Sequence, residues 1–499
     1  MRGTEWKHSK EEDESFRRAI DQATQWIVRY FNQPEAYPVL SRVKPGDIRD
    51  AFPNTPPEEG RNYDELLEDF RTKILPGITH WNHPSFFAYF AITGSYPGIL
   101  GELLSAALNI NGMLWRTSPA LTEIEDLSLD YLRNMLGIDE QFFGLILDTA
   151  STSSLIAMAA ARESISELQI REKGLAGRTD VPRLRVYCSQ EAHSSIDKAA
   201  IVLGVGSENV KKIGVDSEYR MDPSALERLI EEDVRKGYKP FCVVATVGTT
   251  STTSVDPVAE IAEICMKHDL WLHVDAAYAG VAAILPEKKD TLAGCQLADS
   301  FVVNPHKWLF TPIDLSAFYC KRRSILRNAF SLVPEYLRDA EGPDVTNLMD
   351  YGFQLGRRFR ALKLWMVINY YGRQGLENHI REHMRLADVF KAWVERNESF
   401  ELMAPVPFST VCFRYRPITG LPEDILNSEE NREAAFDRAN ERLLEEVNRT
   451  GKAFLSHTKL HGKFTLRCAI GNIRTRESDI NNLCLLLQEK AEAVLARFS

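Results

Sequence analysis

From about residue 96 onward, short and continuously apolar runs alternate with segments of helical periodicity. FGLIL (143–147) precedes SSLIAMAAARESI, RLRVYCS (183–189) precedes SSIDKAAIVLG, and FCVVATV (241–247) precedes VAEIAEICMKH; LWLHVD (270–275) and SFVVNPH (300–306) follow. Runs of this length that are apolar throughout, rather than at every second position, mark strands buried on both faces. Strands separated by helical segments predict an α/β fold with a mostly parallel sheet, and such sheets bind ligands outside the carboxyl ends of their strands.

The flanking segments follow other patterns. SFRRAIDQATQWIVRYFN has helical spacing, and a Pro-rich stretch leads to a second helix in NYDELLEDFRTKIL. Both are too sparse in apolar residues to form a core alone and are expected to pack on another surface. After about residue 375 come two candidate strands, STVCFRYR and FTLRCAI, and a closing helix in SDINNLCLLLQEKAEAVLARF. The division expected is an N-terminal helical dimerisation segment (1–95), a large domain (96–374) and a small C-terminal α/β domain (375–499). The stretch from Ser331 to Tyr351 has little periodicity and two prolines. So long a loop in a folded domain reads as a mobile lid over about 328–352.

Composition adds exclusions. The 499 residues are 44% hydrophobic and 26% charged, as in globular proteins. A net charge of −10 argues against nucleic acid or an anionic membrane as partner. No run approaches the ~18 apolar residues of a membrane span, and the N-terminus lacks the apolar core of a signal peptide. The eight cysteines are scattered without C-x-x-C. They read as reduced core residues of a cytoplasmic protein, not as disulfides or a metal site.

The strand exits carry the chemistry. Thr149, Ala150 and Ser151 lie where a strand enters a helix, a place that suits a cap or a phosphate. His193 lies at the next exit, then Thr250, then Asp275, and finally Asn304, His306 and Lys307. Each alone is weak; a lone loop histidine is usually structural. Together they fit pyridoxal 5'-phosphate (PLP), which needs a Schiff-base lysine, an acid at its pyridine nitrogen, a phosphate cradle and a ring to stack on it. HIREH (379–383) lacks a glutamate directly after its first histidine, so it reads as a solvated helix face and not a zinc motif. GVGSEN reads as a turn, and the basic GRRFR cluster as salt bridging and lid anchoring.

The segments THWNHPSFFAYF, AHSS, HVDAAYAG, ADSFVVNPHKW, PEYL and LGRRFRALKLW resemble the group II PLP-dependent decarboxylases, and among them the aromatic-L-amino-acid decarboxylases. The resemblance implies PLP fold type I, the aspartate aminotransferase-like fold. It also implies a homodimer with active sites at the interface and conversion of an aromatic L-amino acid to its amine and carbon dioxide. By the same resemblance Lys307 is the Schiff-base lysine, Asp275 pairs with the pyridine nitrogen, Ala277 packs on the ring and His193 stacks above it. Thr149, Ala150, Ser151, Thr250, Ser300, Asn304 and His306 surround the phosphate and cofactor. Tyr336 is the lid tyrosine that protonates the α-carbon; relatives with phenylalanine there release an aldehyde instead. Trp81, Tyr89, Phe90, Met113 and Gly356 are expected at the substrate ring, although Phe86 and Phe87 in the same segment read as core. No basic residue lies in that aromatic segment to receive an acidic side chain. Alternatives on the same scaffold are an aromatic acetaldehyde synthase, disfavoured by Tyr336 and His193, and a histidine decarboxylase, disfavoured by Gly356. An inert scaffold is disfavoured by the intact reactive set.

Overall fold

The computed structural model describes residues 10–332, 345–416 and 427–496. Its central sheet has strands β1 (Phe143–Leu147), β2 (Leu184–Ser189), β3 (Val210–Ile213), β4 (Lys239–Thr246), β5 (Trp271–Asp275), β6 (Ser300–Val303) and β7 (Ser316–Cys320). The spatial order is β1-β7-β6-β5-β4-β2-β3. From β3 to β6 every neighbouring pair is parallel, whereas β7 runs antiparallel to both β6 and β1. The strand β1 therefore points the same way as β6. The five apolar runs of the sequence are β1, β2, β4, β5 and β6, and all five end at one edge of the sheet.

Two strands of this sheet were not legible. In β3 (VKKI) two lysines interrupt the apolar run, as an edge strand with one wet side allows. The five residues of β7 are wholly buried, but they follow a proline-containing loop that disguises their start.

A second, antiparallel sheet has the order β10-β11-β9-β8, from β8 (Phe400–Leu402), β9 (Thr410–Tyr415), β10 (Ser456–Leu460) and β11 (Lys463–Ala469). Its core combines Phe413, Leu466 and Ile480 with Leu386 and Phe390 of the long helix Ala361–Arg396. The first turns of that helix, at Leu364, Val367 and Ile368, pack in the large-sheet core instead. The helix breaks at Gly372, whose φ of 61° and ψ of 173° only glycine adopts readily. One helix thus belongs to both cores: Leu376 and Ile380, past the break, still pack in the large-sheet core, and the change to the second core comes between Ile380 and Leu386.

HIREH is not a solvated face. His383 is buried, accepts from the Trp308 indole N–H at 3.0 Å, and has Nε2 2.9 Å from the carbonyl of Asn472. Its imidazole ties the segment that carries Lys307 to the chain just after Lys463–Ala469. The GVGSEN turn is a turn, with Gly204 and Gly206 at φ 73° and 85°. All eight cysteines are buried and free.

The N-terminal helix Lys10–Asn32 and the short helix Tyr63–Asp69 form where the periodicity places them. The second starts at a capping box, in which Asn62 accepts from the Glu65 amide and Glu65 accepts from that of Asn62. No helix among the described residues is long and apolar enough to cross a membrane.

Candidate active site

Adjacent strands deliver the two central groups. Asp275 is the last residue of β5, paired with Val302 on β6 and Thr246 on β4. Its Oδ1 accepts from the amide of Ala277 at 3.1 Å, which fixes the carboxylate at the strand exit. After β6 the chain makes a single helical turn, Pro305–Trp308, which presents Lys307. The turn is held by the Asn304 amide, which donates to the Ala277 carbonyl at 3.1 Å. Burial pushes the Lys307 amine pKa down, and the Asp275 charge only partly offsets this. More of the amine is therefore neutral and nucleophilic near pH 7 than for an ordinary lysine.

His193 belongs to the same electrostatic set. Burial lowers its pKa first; the Lys307 charge adds to that and Asp275 opposes it. Its Nδ1 accepts from the Ser195 amide at 3.1 Å, with the Ser195 hydroxyl at 2.9 Å. A backbone N–H can only donate, so the ring is neutral with its hydrogen on Nε2.

Behind Lys307 stands an aromatic pile. Phe90 stacks on Tyr278 at 3.9 Å between centroids, and Tyr278 on Trp308 at 5.0 Å. The Lys307 Nζ lies 5.2 Å from the Phe90 ring centre. Trp81 stacks on Tyr89 at 5.7 Å. Phe86 and Phe87 are core, whereas Tyr89 is exposed and has a positive φ of 55°. Met113 and Gly356 lie elsewhere in the chain, joined through Asn111. The Asn111 Oδ1 accepts from the Arg357 amide at 2.9 Å, Nδ2 contacts the Met113 sulfur at 3.7 Å, and a Cβ on Gly356 would come 3.9 Å from Nδ2.

At the anion end, Thr149 is the N-cap of the helix Ala150–Glu163, and its side chain caps nothing, so the first amides carry no side-chain acceptor. A buried line of hydroxyls joins this helix to the lysine turn. The Ser153 hydroxyl reaches the Thr149 carbonyl at 3.2 Å and the Ser316 hydroxyl at 2.9 Å; Ser316 donates to Asn304 Oδ1 at 2.6 Å, and Asn304 Nδ2 is 3.4 Å from His306 Nε2. Burial drops the His306 pKa to about 4, and its Nδ1 accepts from the Leu315 amide, so this imidazole is also neutral. Thr250 is exposed in the turn after β4, beside the fully buried Thr249.

Ser300 is a correction. It starts β6, at the opposite end of that strand from the exit, and is fully buried. Its hydroxyl is 2.9 Å from the Trp271 indole nitrogen and 3.0 Å from His273 Nδ1, so it braces the strands and does not face the anion end. Tyr336 lies outside the described residues. The ends of the expected lid are visible: Arg327 and Ser331 both bind Asp350, and Met349 donates to the Met113 carbonyl.

Two charged groups near these residues escaped the sequence reading. Arg467, from β11, is 5% exposed. It donates through Nε to the Ser251 carbonyl at 2.8 Å and through Nη1 to the Tyr89 carbonyl at 3.2 Å. Its guanidinium lies 5.1 Å from the Phe90 ring, and its Nη2 has no hydrogen-bond partner. A buried guanidinium with an unused donor calls for an anion. The aromatic segment holds no basic residue in sequence, yet the fold brings one to it from the second sheet. The other is Asp148, whose Oδ1 accepts from the Thr149 amide at 2.6 Å. Proximity to the Thr149 motif was its only sequence signal.

The donor set fits PLP: a desolvated amine, a carboxylate one strand away, a neutral imidazole and uncapped helix amides converge at one sheet edge. Comparison with known proteins agrees. Residues 45–416 match the family described as the pyridoxal-dependent decarboxylase conserved domain. The chain is 43% identical to tyrosine decarboxylase 2 of Arabidopsis thaliana, covering 92% of this chain and 83% of that one. It is 39% identical to a phenylacetaldehyde synthase of the same plant, covering 94% of each. The structure of Oryza sativa TDC with PLP and tryptamine superposes with a TM-score of 0.90 at 36% identity, covering 97% of this chain and 98% of that one. The chain belongs to the pyridoxal-dependent decarboxylase family, with the type I fold, and is a PLP-dependent carboxy-lyase.

Proposed function

We propose that this enzyme decarboxylates an aromatic L-amino acid, releasing carbon dioxide and the arylalkylamine. The observation that carries the reading is the convergence of Lys307 and Asp275 at neighbouring strand exits, beside an aromatic wall. When bound, PLP supplies an electron sink for the pair left by the departing carboxylate. Lys307, whose pKa burial lowers, would hold the cofactor through its amine and supply the nucleophile for its exchange with the substrate amine. Asp275 keeps a proton at the pyridine nitrogen, and His193 offers a neutral face and an Nε2 hydrogen. Arg467 Nη2 is the donor suited to the substrate carboxylate. Phe90, with Trp81 and Tyr89, accommodates the ring, and Met113 and Gly356 complete that pocket from a second copy. Tyr336 would supply the proton that the α-carbon receives.

A homodimer accounts for the helix Tyr96–Leu108. Its Leu100, Leu103, Leu104 and Leu108 are all exposed along one stripe, while Pro97, Gly98, Gly101 and Ser105 are buried on the other side. An apolar stripe of this kind needs a partner, and a second copy of this chain is the occupant the reading assigns to it. Eight free, buried cysteines support a reducing, cytoplasmic setting.

The test is a product assay in air with tryptophan, tyrosine, phenylalanine, DOPA, 5-hydroxytryptophan and histidine. Amine equal to carbon dioxide, without peroxide, is expected, with no turnover in Lys307→Ala. Tyr336→Phe should shift product towards aldehyde and peroxide. Aldehyde and peroxide from the unaltered enzyme would favour the acetaldehyde synthase reading, which the 39% identical phenylacetaldehyde synthase keeps open.

A further inference from the structure

We propose that Asp148 is a positioning residue that loosens the grip of this chain on its cofactor, by holding a carboxylate beside the phosphate end of the site; the inference rests on the PLP reading above. An N-cap threonine ordinarily turns its hydroxyl to accept from an amide two or three residues on. Thr149 does not. Its Oγ1 lies 3.3 Å from Asp148 Oδ1, and its amide donates to the same oxygen at 2.6 Å. Both Thr149 donors are therefore taken by one carboxylate.

Two consequences follow. The amides that begin the helix Ala150–Glu163 are left uncapped, as an incoming anion requires. The anion that arrives must also sit next to a fixed negative charge and cannot recruit the Thr149 hydroxyl as a donor. The helix dipole and free amides favour the phosphate, and Asp148 opposes it. The opposition is local, because the carboxylate is on the residue preceding the cap. The buried line Thr149–Ser153–Ser316–Asn304 ties this corner to the lysine turn, so the helix start cannot swing away to relieve it. The result is an enzyme that exchanges cofactor readily and whose occupancy follows the supply of PLP.

The experiment titrates cofactor-free full-length protein with PLP, followed by tryptophan fluorescence, for the unaltered chain and for Asp148→Asn. Asparagine keeps the Oδ1 acceptor and removes the charge. PLP should bind about tenfold tighter to Asp148→Asn at low ionic strength, the order expected for one unit charge facing a phosphate across partly hydrated protein. The gain should shrink at high salt as the charge is screened. Pyridoxal, which lacks the phosphate, should show no gain. Asp148→Gly, which removes charge and acceptor together, should also bind PLP more tightly, with melting curves of each cofactor-free protein run alongside. Equal or weaker PLP binding by Asp148→Asn, or the same gain with pyridoxal, would overturn the proposal. No PLP binding by the unaltered chain would instead overturn the cofactor reading on which it rests.

Discussion

Lys307 and Arg467 show two ways in which one side chain acquires a task. Burial disfavours the charged form of Lys307, and the sequence displays the reason: the lysine directly follows a run that must be buried. Arg467 sits inside another apolar run, FTLRCAI, where it reads as a polar interruption of a strand. Its purpose emerges only when Ser251, Tyr89 and Phe90 are brought around it. A planar guanidinium can bind two carbonyls and still offer a donor, which an ammonium at the same place cannot match in geometry. Arg467→Lys should therefore raise the KM for the amino acid about tenfold or more, with PLP absorbance retained. An unchanged KM in a fully loaded variant would remove Arg467 from the substrate site.

Between elements, two joints govern how the site is assembled. The first is the break at Gly372, where an added Cβ would meet no atom within 4 Å, so only the backbone conformation is at stake. Gly372→Ala should cost about 1–3 kcal/mol, the usual strain of a non-glycine residue in such a region, read as a lower denaturation midpoint. The second is a buried ion pair that fastens the GRRFR segment to β1. Arg357 Nη2 lies 2.5 Å from Glu125 and donates to the Ile146 carbonyl at 2.8 Å, and Glu125 also accepts from the Ile146 amide. Arg357→Ala leaves a buried carboxylate without its cation and should destabilise the fold by roughly 3–5 kcal/mol. Arg357→Lys should recover part of that loss in the same unfolding experiment. GRRFR announces a cation cluster in the sequence, but not which acid each arginine takes. Glu125, Glu102 and Asp314 lie in distant segments.

At the scale of the whole molecule, three fully buried imidazoles make stability depend on pH. His273, His306 and His383 all have pKa values lowered by burial to about 4. In the unfolded chain they protonate near pH 6.5, so between 6.5 and 4 the unfolded state binds protons that the native state refuses. Stability contributed by each neutral imidazole is intact above pH 6.5 and is lost as the pH falls, at up to about 1.4 kcal/mol per unit for each histidine. Denaturant midpoints should already fall between pH 6.5 and 5, before most carboxylates titrate. A flat profile across that window would contradict the burial of these rings.

The sequence by itself determined which stretches are strands buried on both faces and which residues stand at their ends, because burial on both faces demands continuous apolar runs. Five strand exits, with Asp275 and Lys307 among them, are local features of that kind, and so are the helix starts and the reduced cysteines. Edge strand β3 escaped because one wet side breaks the run, and the burial of His383 escaped because helical spacing does not say which neighbour covers a face. Only the tertiary structure decided that Arg467 stands over Phe90 and that Ser300 braces strands away from the site. The reason is physical: a hydrogen bond or an ion pair depends on distance in space, and distance in space between remote segments is set by how whole sheets and helices pack.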